Sequence, residues 1–197
     1  MTDFWVFFKI GLHHVLDVSA YDHVLFLMAL AASYAAKDWK RILILVSIFT
    51  LGHTASLMLA VFDVLRANAT VVEFLIPITI LITAFYNLFT AGKKSNPSGI
   101  SFVGLVTLFF GIIHGLGFSN YFKSILSGDA VDKLIPTFEF SLGIEAAQLV
   151  IITIVLILSF VCQTLLKFNK RDFTLILSSF VIGVVVPLLV DNPIFKK

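Results

Sequence analysis

Charge is scarce in this chain. Asp, Glu, Lys and Arg supply only 13% of its 197 residues, where a soluble domain carries about 25%. Cysteine is nearly absent: Cys162 is the single one, which excludes an intrachain disulfide and any cysteine-cluster metal site. In its apolar run it reads as a small buried hydrophobe. A Gly-rich phosphate loop is missing, so the chain carries no ATP motor of its own. The basic residues are scattered and the net charge is +2, which leaves no footprint for nucleic acid. The N-terminal stretch lacks a basic n-region and an A-x-A cleavage site, and it is not read as a removable signal.

What fills the chain is hydrocarbon. Hydrophobic residues make up 59% of it, with 21 Phe, and the mean hydropathy is +1.02. No stretch is long and polar enough for a soluble domain, so residues 1–197 read as a single transmembrane domain. The expected fold is all-α, a polytopic helical bundle of about seven spans, or six if the first is re-entrant or interfacial. The spans run from Phe4 to Leu16, Tyr21 to Ala36, Ile42 to Val64, Val71 to Ala91, Ile100 to Phe118, Ile135 to Leu166 and Phe173 to Val190. The first is short against the ~20 residues that cross a bilayer. Pro77 bends the fourth.

Basic residues set the orientation. Alternate loops hold Lys37, Lys40 and Arg41, then Lys93 and Lys94, then Lys167, Lys170 and Arg171. The opposite loops hold Arg66, and Lys123 with Lys133. A multi-pass protein of a bacterial inner membrane is expected, its N-terminus cytoplasmic and its C-terminus external, although Lys196 and Lys197 run against the rule.

That topology gathers the titratable groups in one half of the membrane. His13, His14 and Asp17 end span one, and Asp22 with His23 opens span two. His53 lies in the outer part of span three, Glu73 at the outer start of span four, and His114 near the outer end of span five. Glu139 and Glu145 occupy the outer part of span six. The inner half offers little beyond Asn87, Thr83, Thr107 and Thr153. An ionisable group inside a membrane costs about 2.5–3.5 kcal/mol on insertion scales, so several at one depth require a joint reason.

Imidazole nitrogen with carboxylate oxygen, and no thiolate, suits Zn, Ni, Co, Mn or Fe(II). A divalent transition metal (Zn, Ni or Co) bound at the outer face is therefore expected. Its candidate ligands are His14, Asp22, His23, His53, His114 and Glu145, with His23, His53 and His114 converging. Asp22 is alternatively a helix cap. Glu73, Asn87 and Gln148 stand behind the ligands as groups that would orient them, and interhelical hydrogen bonding explains Asn87 equally well. Gly111 and Gly115 flank the His114 segment and let another helix approach closely. His13 points about 100° away from His14, toward the interface.

These stretches also resemble the HupE/UreJ family of small membrane proteins, regarded as nickel or cobalt permeases. The resemblance rests on Gly11-Leu12-His13-His14 with Tyr21-Asp22-His23-Val24-Leu25-Phe26, on Phe49-Thr50-Leu51-Gly52-His53-Thr54, and on Val72-Glu73-Phe74-Leu75-Ile76. Asn87, Ile113-His114-Gly115-Leu116-Gly117-Phe118 and Phe140-Ser141-Leu142-Gly143-Ile144-Glu145-Ala146-Ala147-Gln148 complete it. It implies that His14, Asp22, His23, His53, Glu73, His114, Glu145 and Gln148 form the polar signature. The family places its Asp-His pair closer to the preceding His, whereas here Asp17-Val18-Ser19-Ala20 intervenes.

The first functional reading is a divalent transition-metal permease or metal-acquisition protein. A second is an intramembrane metal hydrolase acting on a lipid or amide, with Glu145, Asp22 or Ser56 in the catalytic role. A third is a membrane protein whose metal is purely structural. The partners implied are the lipid bilayer and the metal ion. A homo-oligomer, or a periplasmic or outer-membrane protein delivering metal, is compatible with the sequence.

Overall fold

A computed structural model describes residues 4–17, 21–93, 100–126, 128–129 and 131–195. Lys94, Lys196 and Lys197, and the intervening Val18, Ser19 and Ala20, lie outside these residues. Among the described residues seven α-helices follow one another: α1 (Phe4–Leu16), α2 (Asp22–Ala32), α3 (Trp39–Val61), α4 (Ala69–Thr90), α5 (Ile100–Ile125), α6 (Leu134–Phe160) and α7 (Lys170–Val190). A 3-10 turn at Ala36–Asp38 leads into α3, and a π turn at Val161–Leu165 ends α6. Five helical stretches are long and apolar enough to cross a membrane, and α1 and α2 are the shorter apolar pair.

The start signals are local. Asn68 Oδ1 accepts the Thr70 and Val71 N–H groups at the head of α4, and Asn169 Oδ1 accepts that of Asp172 at the head of α7. Both satisfy donors that a first helical turn leaves without a partner. Asp22 does not cap α2 as a preceding residue. It stands inside the first turn, behind Tyr21, and its Oδ1 accepts the His23 N–H at 2.8 Å.

Two helix ends differ from the expectation for the same reason: tertiary partners decide them. Helix α2 stops at Ala32, short of Ala36, because other helices serve its last carbonyls. Asn87 Nδ2 donates to Ala29 O at 2.6 Å, Thr174 Oγ1 to Ala32 O at 2.8 Å, and Ser33 Oγ to Asn87 Oδ1 at 2.6 Å. Helix α5 runs on through Gly115-Leu116-Gly117 to Ile125, beyond Phe118. Gly115 is there to admit a neighbour, and it does not break the helix.

That neighbour is α3. A Cβ on Gly52 would strike the Leu108 carbonyl, one on Gly111 the Phe49 carbonyl, and one on Gly115 the His53 carbonyl and the Ser56 hydroxyl. The order of these contacts makes α3 and α5 parallel, with backbones in touch. In the same way Gly11 abuts Phe140 O and Gly143 abuts Phe8 O, which locks α1 against α6. Small residues allow this closeness where lipid offers helices no hydrophobic reason to associate. At one end of the bundle Lys170 Nζ lies 3.9 Å from Asp38 Oδ2, and Arg171 packs on Gly92. At the opposite end Lys123 Nζ donates to Asp63 Oδ1 at 2.6 Å. The described members of the three expected basic loops thus share one end. Cys162 sits in the π turn, half-buried and free, not in the core.

Candidate metal centre

The seam of α3 and α5 and the facing ends of α1 and α2 bring four histidines together. His53 comes from α3 beside Gly52, His114 from α5 between Gly111 and Gly115, His14 from the last turn of α1 and His23 from the first turn of α2. One nitrogen each of His14, His23 and His53 can be chosen so that all three lie within 4.8 Å of one another. His114 joins through His23, with ring centroids 5.2 Å apart. His53 is fully buried, and His23 and His114 are 2% and 1% exposed. The structure brings the expected His23, His53 and His114 together, with His14 beside them. His23 stands at the centre of the four, its ring centroid 4.8 Å from that of His14, 5.2 Å from that of His114 and 6.0 Å from that of His53.

The hydrogen bonds fix which nitrogen faces the cluster. A carbonyl can only accept, so the 2.9 Å contact between His114 Nδ1 and Phe110 O is an N–H donation. In the neutral ring this leaves a lone pair on Nε2. Asp22 Oδ1 does the same for His23, 3.1 Å from its Nδ1. Such partners orient an imidazole for a metal and hold its tautomer. Among the described residues no partner meets Nε2 of His14, His23 or His114, nor either nitrogen of His53. Leaving a buried polar atom unpaired costs about 1–3 kcal/mol, so several in one place mark a group that could hold a cation. Phe26, Phe49, Phe118 and Phe140 pack around the rings; His14 and Phe118 lie 3.8 Å centroid to centroid. A set of neutral imidazoles with one carboxylate behind them fits a borderline divalent cation.

A HupE / UreJ protein family model matches residues 1–190, nearly the whole chain. The chain belongs to the HupE/UreJ family. It is a multi-pass membrane protein. No curated protein and no solved structure matches the sequence.

The remaining polar residues of the HupE/UreJ resemblance are placed elsewhere. Glu145 is half-buried on α6 and accepts from Ser47 Oγ at 2.6 Å, outside the group of histidines. Glu73 is exposed at the start of α4, because that helix turns Val72 inward. Asn87 ties α4 to the far end of α2, where its amide is bonded to Ser33 and Ala29. Gln148 is fully buried, its amide 2.7 Å from Thr50 Oγ1, one turn from His53 along α3. Ser56 donates to the His53 carbonyl at 3.0 Å, which leaves its hydroxyl proton no second use. Thr83 and Thr153 donate to carbonyls of their own helices, and Thr107 is buried. His13 is exposed. The buried carboxylate of Glu139, with Oε2 unpartnered, is a feature that reading residue types at the right depth did not single out. Helical rotation decided it.

Proposed function

We propose that this protein is a permease for a divalent transition metal of the nickel, cobalt or zinc kind, in a bacterial inner membrane. His14, His23, His53 and His114 receive the cation on the outer side, and Asp22 supplies negative charge through His23. The observation that carries this reading is the set of buried imidazole nitrogens from four helices without a hydrogen-bond partner. The family supports it, since its resemblance implies nickel or cobalt uptake. The common end shared by the basic residues supports a cytoplasmic N-terminus.

A hydrolase would need a base or nucleophile at the metal. Asp22 holds His23, Ser56 is bonded to its own helix, and Glu145 is bonded to Ser47. These engagements favour carriage over hydrolysis. The test is nickel content and calorimetric nickel binding of the purified protein in detergent, against His53→Ala and His13→Ala. His53→Ala is expected to lose most of the affinity and His13→Ala to keep it. Equal binding by His53→Ala and wild type refutes the site.

A further inference from the structure

The end of the bundle that gathers the basic residues holds a guanidinium without a counter-ion. Arg41 stands in the first turn of α3, half-buried, and no ion pair among the described residues includes it. Its Nε is closed off from solvent and meets no acceptor among them. The guanidinium carbon lies over the Tyr34 ring, 5.6 Å from its centre, and the side chain bonds to the Tyr34 hydroxyl, a neutral partner. Among the described residues the acids of this end are Asp38 and Asp172, and both are engaged elsewhere. Asp38 Oδ2 accepts the Ala35 N–H at 3.0 Å and lies 3.9 Å from Lys170 Nζ. Asp172 Oδ2 accepts from Asn169 Nδ2 at 2.7 Å. A charge half out of water and unpaired carries a cost that an anion removes.

The shelf beneath Arg41 is fixed from two sides. Tyr34 follows the end of α2, and its N–H donates to Ala31 O at 2.9 Å. From α6, Ser159 Oγ lies 3.4 Å from the Tyr34 carbonyl and accepts from Gln163 Nε2 at 2.6 Å. A guanidinium stacked on a fixed ring has little freedom left to lose on binding, and its planar fork matches two oxygens of a phosphate.

Beside this fork the surface faces lipid. Lys40, Ile44, Ser47 and Leu51 are exposed at three- and four-residue steps, so they form one stripe along α3. Lys40 heads the stripe, its Nζ 5.5 Å from the centre of the Trp39 ring, and Trp39 is exposed as well. A Trp beside Lys and Arg at the end of an apolar stripe marks the headgroup level of a bilayer. An acyl chain lying along Ile44 and Leu51 brings its phosphate to Lys40 and Arg41.

We infer that Arg41 on its Tyr34 shelf, with Lys40 beside it, binds the phosphate of an anionic phospholipid at the basic end of the bundle. The lipid supplies the counter-ion that the chain does not. A zwitterionic lipid serves less well, because its own ammonium group already neutralises the phosphate.

Trp39 reports the lipid next to it. The chain has two tryptophans, so a Trp5→Phe background leaves Trp39 as the single emitter. The full chain is reconstituted in phosphatidylcholine vesicles with rising fractions of phosphatidylglycerol brominated on its acyl chains, and quenching of Trp39 gives the relative affinity of the two lipids. The background protein is expected to prefer phosphatidylglycerol by at least about tenfold, and Arg41→Gln to bring the preference within about threefold of unity. Lys93→Gln removes the same charge from an exposed position at the same end and is expected to keep the preference. Arg41→Lys keeps the charge without the planar fork and is expected to lose about threefold; it carries the comparison if Arg41→Gln does not reconstitute. Inorganic phosphate in excess is expected to leave the quenching as it is in chloride of equal ionic strength. Equal quenching by brominated phosphatidylglycerol and brominated phosphatidylcholine overturns the site. So does an equal fall in Arg41→Gln and Lys93→Gln, which would reduce it to the general charge of this end. Relief of quenching by phosphate but not chloride would assign the fork to free phosphate and overturn the lipid.

Discussion

Asp22→Asn isolates the charge behind the cluster from its geometry. Asn keeps an oxygen that can accept from His23 Nδ1, now 3.1 Å from Asp22 Oδ1, and removes only the negative charge. Adding an imidazole width and a metal–nitrogen bond of about 2.0–2.1 Å to that contact sets the carboxylate on the order of 7 Å from a bound ion. A unit charge at that distance from a divalent cation is worth about 5 kcal/mol at an effective dielectric near 20. That is an upper bound, because the aspartate gives up hydration to sit there. Replacing such partners in other metal sites costs about 10–100-fold in affinity, or about 1.4–2.7 kcal/mol. A rise of this size in the dissociation constant is expected for Asp22→Asn, and a larger one for Asp22→Ala, whose His23 tautomer is no longer held. Competition against a chromogenic chelator in detergent at neutral pH reads it. An Asp22→Asn protein within about threefold of wild type would refute a charge role for Asp22 and leave the histidines as an uncharged site.

Four further outcomes follow from the packing. Gly115→Ala would place a Cβ against the His53 carbonyl and Ser56, so it should cost about 1–3 kcal/mol in thermal stability and weaken nickel binding; Gly183→Ala, with open space around it, should do neither. Asn87→Ala strands the Ala29 carbonyl and should lower stability by about 1–3 kcal/mol while leaving nickel affinity unchanged. The hydrogen bond from Lys123 holds the Asp63 carboxyl below its ordinary value of 3.8. A depressed carboxylate stabilises above its unfolded value and loses that contribution as pH falls through the folded one. Melting curves below pH 4 should therefore show a small loss in wild type that Asp63→Asn lacks. A reporter fused after Lys93 should be cytoplasmic and one fused after Asp129 external, and finding both on one side overturns the orientation.

The helices were legible because each apolar run is bounded by charge, Asn, Pro or Gly, and because span length is set by the bilayer. Their rotation was not. When every face is apolar, periodicity cannot tell which side of α4 turns inward, so Glu73 looked like a partner of the site although Val72 takes the buried position. The same blindness applies to Asn87 and Gln148, whose depth was readable but whose neighbours were not. His53 and His114 were marked by the glycines beside them, which the structure uses to bring α3 and α5 into contact. The end of α2 could not be foreseen, since Asn87 and Thr174, distant in sequence, are what let it stop.

The shortness of α1 and α2 explains how a cation could reach so buried a site. At 13 and 11 residues these helices rise only about 20 and 16 Å, against a hydrocarbon core of about 30 Å. Their facing ends carry His14, Asp22 and His23, which meet His53 within α3 and not at its tip. From His53 the helix continues eight residues to Val61, about 12 Å, and from His114 α5 continues eleven to Ile125, about 16 Å. The facing ends of α1 and α2 thus lie below the ends of α3 and α5. Longer helices form walls, and the two short ones form a floor bearing exposed His13 and Asp17 and part-exposed Asp22. Lengthening α1 or α2 to a full crossing would lift the histidines out of register with His53. The two short helices therefore set the depth of the metal centre.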